Sequence, residues 1–172
     1  KRDGQDLTKV EINSFFNGYL SEAVTEAQMS AMLMAIYFNG MNEDETFSLV
    51  DVMLNSGRVL EFPQSNRYIG DKHSTGGIGD KVSLILAPIV AAAGIKIPMI
   101  AGRGLGFTGG TIDKLESIPG FDVSPDLDLF KKWVEKSGYA IMSQSNEICP
   151  ADKKIYDLRS KTGTISSIPL IC

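Results

Sequence analysis

Residues 67–118 read RYIGDKHSTGGIGDKVSLILAPIVAAAGIKIPMIAGRGLGFTGGTIDKLESI, and the order of these segments decides the fold. RYIGD has the look of a short strand. KHSTGGIG follows as a glycine loop, and DKVSLILAPIVAAAG as a buried helix. The same grammar then repeats, with IKIPMIA as strand, GRGLGFTGG as loop and TIDKLESI as helix. A strand, a glycine loop and a helix in repetition predict a parallel α/β sheet, because parallel strands require a crossover long enough to hold a helix.

On the C-terminal side the pattern continues. SPDLDLFKKWVEKSG predicts an amphipathic helix after Ser124, YAIMSQS a further strand, and PADKKIYDLRSKTG a helix with Pro150 in its first turn. On the N-terminal side, before about Phe62, the sequence is helical. Thr8 precedes KVEINSFFNGYL, in which Ile12, Phe15, Phe16 and Tyr19 recur at helical spacing. Thr25 precedes EAQMSAMLMAIYFNG, and Asn42 with Glu45 three residues later forms a capping-box start for EDETFSLVDVMLNSG. Three short helices, each closed by a glycine, make a small bundle in which Met29, Met32, Leu33 and Ile36 form a core or contact face.

Composition narrows the partners. At 43% hydrophobic and 22% charged, the 172 residues belong to a globular protein with a real core. A net charge of −4 with no long basic block argues against nucleic acid and anionic membranes. The apolar stretch VSLILAPIVAAAGIKIPMI is broken by Pro88, Gly94, Lys96 and Pro98, so it reads as helix then strand, not a membrane span. Two cysteines, Cys149 and Cys172, make no disulfide framework and show no metal-ligand spacing, which predicts a reducing, cytoplasmic setting. The opening on Lys1 and the close on SSIPLIC read as a chain cut from something longer.

The two glycine loops carry the chemistry. A loop leading into a helix presents orphan N–H groups and the positive end of the helix dipole, and glycines let the backbone approach an anion closely. The first loop adds Lys72 as a cation, Ser74 and Thr75 as hydroxyl donors, and Ser83 in the following helical turn. The second adds glycines at 102, 104, 106, 109 and 110, with Arg103 nearby and Thr111 opening its helix. Neither matches G-x-x-x-x-G-K-[ST], nor G-x-G-x-x-G leading into a helix, so ATP and NAD are unsupported; a free phosphate or phosphorylated sugar fits better. His73, the one histidine, stands between Lys72 and Ser74 where α/β sheets bind ligands, which favours a functional over a structural role. The residues around Arg159 do not decide between a solvated and a functional guanidinium.

KRDGQDLTKVEINSFFNGYL, DKHSTGGIGDKVSL, GRGLGFTGGTIDKLESIPGF, PADKKIYDLR and SIPLI together resemble the thymidine and pyrimidine nucleoside phosphorylases, in order and along the whole chain. The resemblance implies a longer protein with a small all-helical domain and a parallel-sheet α/β domain. Residues 1–62 would begin the former, 66–149 the latter, and 150–172 would return to the helices. It also implies a pentosyltransferase that cleaves pyrimidine nucleosides with phosphate, giving the free base and a 1-phosphorylated sugar. Lys72, Ser74, Ser83 and Thr111 would hold phosphate, and His73 and Arg159 would contact the pyrimidine. Phosphate is then a co-substrate, no cofactor is needed, and loop carbonyls leave room for a monovalent cation. The implied partner is a second copy, docked through the helical domain.

Three departures stand out against that family. Ala101 replaces a serine before Gly-Arg-Gly, Phe107 replaces a histidine, and SKTGTIS follows Arg159 where Asp-[VI]-T-A-T-V is usual. Losing one hydrogen bond to a charged group costs about 1.5–3 kcal/mol, which weakens a phosphorylase without abolishing it. The serine and lysine that grip the base in the family have no counterpart within these residues, so the isolated chain is expected to show little activity. Two rivals remain. One is a phosphoribosyltransferase or nucleotide phosphorylase on the same scaffold, of which the former would want an acidic metal site, for which the first loop offers only Asp80; the other, a non-catalytic homologue, would fit the three departures but not the intact DKHSTGG.

Overall fold

The structure is a computed structural model and describes residues 1–63, 65–72, 80–104 and 109–171. The chain divides into two compact units: one joins Lys1–Val59 to Ser145–Cys172, and the other is Leu60–Gln144.

The first unit is helical. It contains α1 (Lys9–Leu20), α2 (Glu26–Asn39), α3 (Glu43–Asn55) and α7 (Pro150–Thr162), with a 3-10 turn at Ile168–Leu170. Capping boxes start the first three. Thr8 accepts from the Glu11 N–H at 3.3 Å while Glu11 accepts from the Thr8 N–H at 2.8 Å, and Thr25 with Gln28 repeats the exchange. At α3 the Asn42 side chain accepts from the Glu45 N–H at 2.8 Å and Glu45 accepts from the Asn42 N–H at 2.9 Å. The apolar faces then meet in one core, with Ile12 and Phe16 of α1, Met29, Leu33 and Ile36 of α2, Leu49 and Val52 of α3, and Ile155 and Leu158 of α7.

The helix ends differ from the sequence expectation. Only α2 of the first three is closed by glycine, at Gly40 with φ 66°. At the end of α1 the chain turns at Ser21, and Glu22 takes the left-handed conformation, φ 65°. α3 stops at Ser56, whose hydroxyl donates to the Met53 carbonyl at 2.7 Å. Gly57 serves closeness instead of capping: a Cβ there would lie 2.7 Å from Pro150 Cδ and 2.8 Å from the Cys149 nitrogen. The Arg58 N–H donates to the Glu147 carbonyl at 2.7 Å beside this contact.

The second unit holds α4 (Val82–Ala92), β1 (Ile97–Ala101), α5 (Thr111–Glu116), α6 (Leu127–Ser137) and β2 (Tyr139–Ser143). β1 and β2 pair in parallel, from Ile97 opposite Tyr139 to Ala101 opposite Ser143. Ala87, Ile97, Met99, Ile112, Leu115, Val123 and Ile141 form its core. α4 turns its small residues inward, Ser83, Ala87 and Ala91 at four-residue spacing, which brings the helix backbone close to its neighbours. The architecture is the expected one, a helical bundle with a parallel-strand α/β unit.

One local expectation fails. RYIGD forms no strand: Ile69 makes a single parallel bridge to Lys96, and by Lys72 the backbone N–H already donates to the Asp71 carboxylate at 2.7 Å. A side chain so near in sequence has replaced the ladder partner. α6 follows Ser124 as expected, and its cap is Asp126. Asp126 accepts from the Leu129 N–H at 2.7 Å, whereas the Ser124 hydroxyl pairs with Ser143 at 3.0 Å and its N–H donates to Asp122 at 2.9 Å. Among the described residues no helix is long and apolar enough to cross a membrane.

Candidate functional site

The first loop leaves the Ile69 bridge and re-enters regular structure at α4. His73 and Ser74 lie outside the described residues, as does Phe107 of the second loop. Lys72, Ser83 and Thr111 are described, and all three meet at one residue, Asp80.

The Lys72 ammonium sits 2.5 Å from Asp80 Oδ2, and the Ser83 hydroxyl donates to the same oxygen. The Ser83 N–H donates to Asp80 Oδ1 at 3.3 Å, so the carboxylate also covers an orphan amide in the first turn of α4. From the second loop, the Thr111 hydroxyl donates to the Asp80 carbonyl at 3.3 Å. Ser83 and Thr111 are buried, while the Lys72 side chain remains 28% exposed. Burial pushes the Asp80 carboxyl up, but the hydrogen bonds from Lys72 and Ser83 outweigh it and hold the group below the usual carboxylate range.

The second loop is tied down by a carboxylate of its own. Asp113, in the first turn of α5, accepts from the N–H groups of Gly104 at 2.7 Å and Gly110 at 2.8 Å, and from Arg103 at 3.0 Å. Arg103 adds contacts to Glu116 at 2.5 and 3.1 Å. Its charge is therefore committed to α5. Burial raises the Asp113 carboxyl and the two backbone N–H groups with Arg103 bring it below its ordinary value. Gly110 has no room for a side chain, since a Cβ would lie 2.9 Å from the Gly102 carbonyl oxygen. Ala101, where the resemblance expects serine, ends β1 opposite Ser143.

Arg159 belongs to the helical unit. It is buried on α7, and its guanidinium donates to the carbonyls of Leu170 at 2.6 Å and Ile165 at 2.7 Å. Its Nε and the Ser167 hydroxyl are buried with no hydrogen-bond partner among the described residues. Burial lowers the guanidinium pKa from its usual value, against opposing pulls from Asp152 and Tyr156. The altered segment after it ends α7 at Gly163, φ 69°, whose N–H donates to the Arg159 carbonyl.

Sequence reasoning passed over Asp80 and Asp113 as organising groups. The signal was present in both cases: an acid three residues before Ser83 at a helix start, and an acid three residues after Gly110, are spacings at which a carboxylate reaches a terminal N–H.

Set beside known proteins, residues 66–172 match the model described as the glycosyl transferase family a/b domain, and residues 1–57 match the helical bundle domain of the same family. The chain is 52% identical to a thymidine phosphorylase of Agrobacterium fabrum, covering 99% of this chain and 39% of that protein. It is 51% identical to a pyrimidine-nucleoside phosphorylase of Staphylococcus epidermidis, covering 99% of this chain and 40% of the other. The chain thus spans about two fifths of the length of these relatives. In fold it is similar to the crystal structure of an anthranilate phosphoribosyltransferase from Thermus thermophilus, with a TM-score of 0.76 at 21% identity, over 98% of this chain and 51% of that one. The family's a/b model runs on to residue 172, although residues 145–172 pack with the helices in the structure. With both domain models matched in sequence order across nearly all its residues, the chain belongs to the glycosyl transferase family.

Proposed function

We propose that the protein carries out phosphorolysis of pyrimidine nucleosides, releasing the free base and a sugar 1-phosphate. The observation that carries this reading is identity of about half, over 99% of the chain, to relatives named thymidine phosphorylase and pyrimidine-nucleoside phosphorylase. The gathering of Lys72, Ser83 and Thr111 around one point of the two glycine loops is the chemical support.

In this reaction a phosphate oxygen attacks the anomeric carbon as the bond to the base nitrogen breaks, and the bonding pair leaves with the base. Phosphate is a weak nucleophile, so orientation and charge stabilisation supply the catalysis. Lys72, Ser74, Ser83 and Thr111 orient phosphate. His73 holds the pyrimidine oxygens, where negative charge arrives, and Arg159 would join it only by giving up its bonds to the Leu170 and Ile165 carbonyls. No cofactor is required by such a displacement. The protein acts in the cytoplasm as a homodimer joined through its helical unit, a pairing supported by Phe47, Val50 and Leu54, which α3 leaves exposed on one face.

The test is phosphate-dependent release of thymine from thymidine by the full-length protein, with uridine in parallel. Release that needs phosphate and is lost in His73→Ala supports the reading. Absence of release from folded protein overturns it.

A further inference from the structure

The phosphate reading leaves one group unexplained. An anion site ordinarily avoids carboxylates, yet Asp80 sits among all three described candidate ligands and its side chain is 15% exposed. The direction of its hydrogen bonds is forced. A carboxylate held ionised only accepts, so the hydroxyl hydrogen of Ser83 points at Asp80. Toward any ligand, Ser83 then offers lone pairs and no donor. Lys72 has three N–H donors, of which Asp80 takes one and no other described residue takes a second, so donors remain for a ligand.

Donors on one side and an acceptor on the other describe an oxyanion that is deprotonated at some oxygens and protonated at one. We infer that Asp80 is a positioning residue that fixes Ser83 as a hydrogen-bond acceptor and steadies Lys72, so that the site selects hydrogenphosphate, which carries a P–OH, over sulfate, which carries none. Phosphate keeps at least one P–OH in both ionisation states present at neutral pH. It donates that hydrogen to Ser83 Oγ and accepts from Lys72. Sulfate has no hydrogen to offer and would face the Ser83 lone pairs and the Asp80 charge unpaired. The Thr111 bond to the Asp80 carbonyl carries the second loop into the same arrangement. This inference deepens the phosphate site proposed above and rests on it.

The experiment is calorimetric binding of inorganic phosphate and of sulfate to the full-length protein at neutral pH, for wild type, Asp80→Asn and Ser83→Ala. Wild type is expected to favour phosphate by about tenfold or more, the scale of one charge-assisted hydrogen bond. An asparagine in place of Asp80 donates to Ser83 and turns its hydroxyl outward, so Asp80→Asn should bind sulfate more tightly and shrink the ratio toward unity. Simple removal of a negative charge would instead tighten both anions alike, and that result overturns the inference. Ser83→Ala, which deletes the acceptor, should also lose the discrimination, and it serves if Asp80→Asn does not fold. Equal binding of both anions by wild type, or binding of neither, overturns it too. Binding is read without turnover, so thymine release with no anion discrimination sinks this inference alone. Anion discrimination without thymine release sinks the phosphorylase reading alone.

Discussion

Glu45 and Asp80 are built from the same parts. Each is a carboxylate near the start of a helix, each accepts from backbone N–H, and each is paired with a lysine. Glu45 is fully buried, accepting from Lys1 at 2.7 Å, from the Leu7 N–H at 2.7 Å and from the Asn42 N–H at 2.9 Å. Its lysine is 3% exposed, against 28% for Lys72. A cation with no access to solvent can only hold the fold, whereas one with donors left over can hold a ligand. Exposure of the partner, more than the ion pair itself, separates a structural carboxylate from a functional one.

The largest break of this comparison is Glu45→Ala. Removing one member of a buried pair leaves the N–H groups of Leu7 and Asn42 without an acceptor and the Lys1 ammonium with only Asp6, 3.7 Å away, a loss of about 3–5 kcal/mol. Urea unfolding should show it, with anion binding unchanged in the protein that remains folded. Asp80→Asn should cost less than about 1.5 kcal/mol in the same assay, because Lys72 can turn to water. Similar losses at both sites would erase the distinction.

Acid should act on the two carboxylates in the same direction. At Glu45 burial raises the pKa, but the hydrogen bonds from Lys1, Leu7 and Asn42 bring it below its ordinary value, as Lys72 and Ser83 do at Asp80. A depressed folded-state pKa gives stability that is present above the unfolded value, near pH 4, and is lost as pH falls through the folded value. Thermal midpoints measured from pH 6 downward should fall, and Glu45→Gln should flatten that slope. A slope unaltered in Glu45→Gln would show that the buried pair does not govern acid stability.

Ala101→Ser sharpens the site side of the comparison by restoring the hydroxyl found in the resembling family. Phosphate affinity should rise by roughly threefold to tenfold, less than a full charged hydrogen bond because the hydroxyl must also be ordered. No change would mean that β1 aims position 101 away from the anion. The smallest effect belongs to the exposed pair of Lys9 and Asp51, 2.7 Å apart with side chains 66% and 51% exposed. Lys9→Ala should shift stability by less than about 0.5 kcal/mol.

Much of the fold was legible because it rests on local rules. The polar residues before α1, α2 and α3, the Pro150 start of α7, and the alternation of glycine loops with apolar runs all carry their own signals. An error arose where a neighbour's side chain competed with the expected pattern. Asp71 took the amide that would have continued a strand at Ile69. At the candidate site, Lys72, Ser83 and Thr111 stood out by residue type, and the structure brings them together. Asp80 did not, since charge alone argues against an acid there; its place depends on a lysine eight residues back and a threonine in another loop. The commitment of Arg103 to Asp113 and Glu116 was equally invisible in a motif of glycines.

The meeting of Arg58 with Glu147 has a consequence for how the chain acquires its shape. The backbone bond there is 2.7 Å and the ion pair 2.9 Å, so the two points at which the polypeptide leaves and rejoins the helical unit are fastened side by side. Residues 60–144 are in effect an insertion in a helical protein. During synthesis α1, α2 and α3 emerge with part of their core open, and they wait for Ile155 and Leu158 until the whole insertion has been made. Replacing residues 60–144 by about five glycine and serine residues would spare roughly 2–3 kcal/mol of closure entropy. The shortened bundle would then assemble without waiting, with Gly57 still needed where the chain passes Pro150 and Cys149.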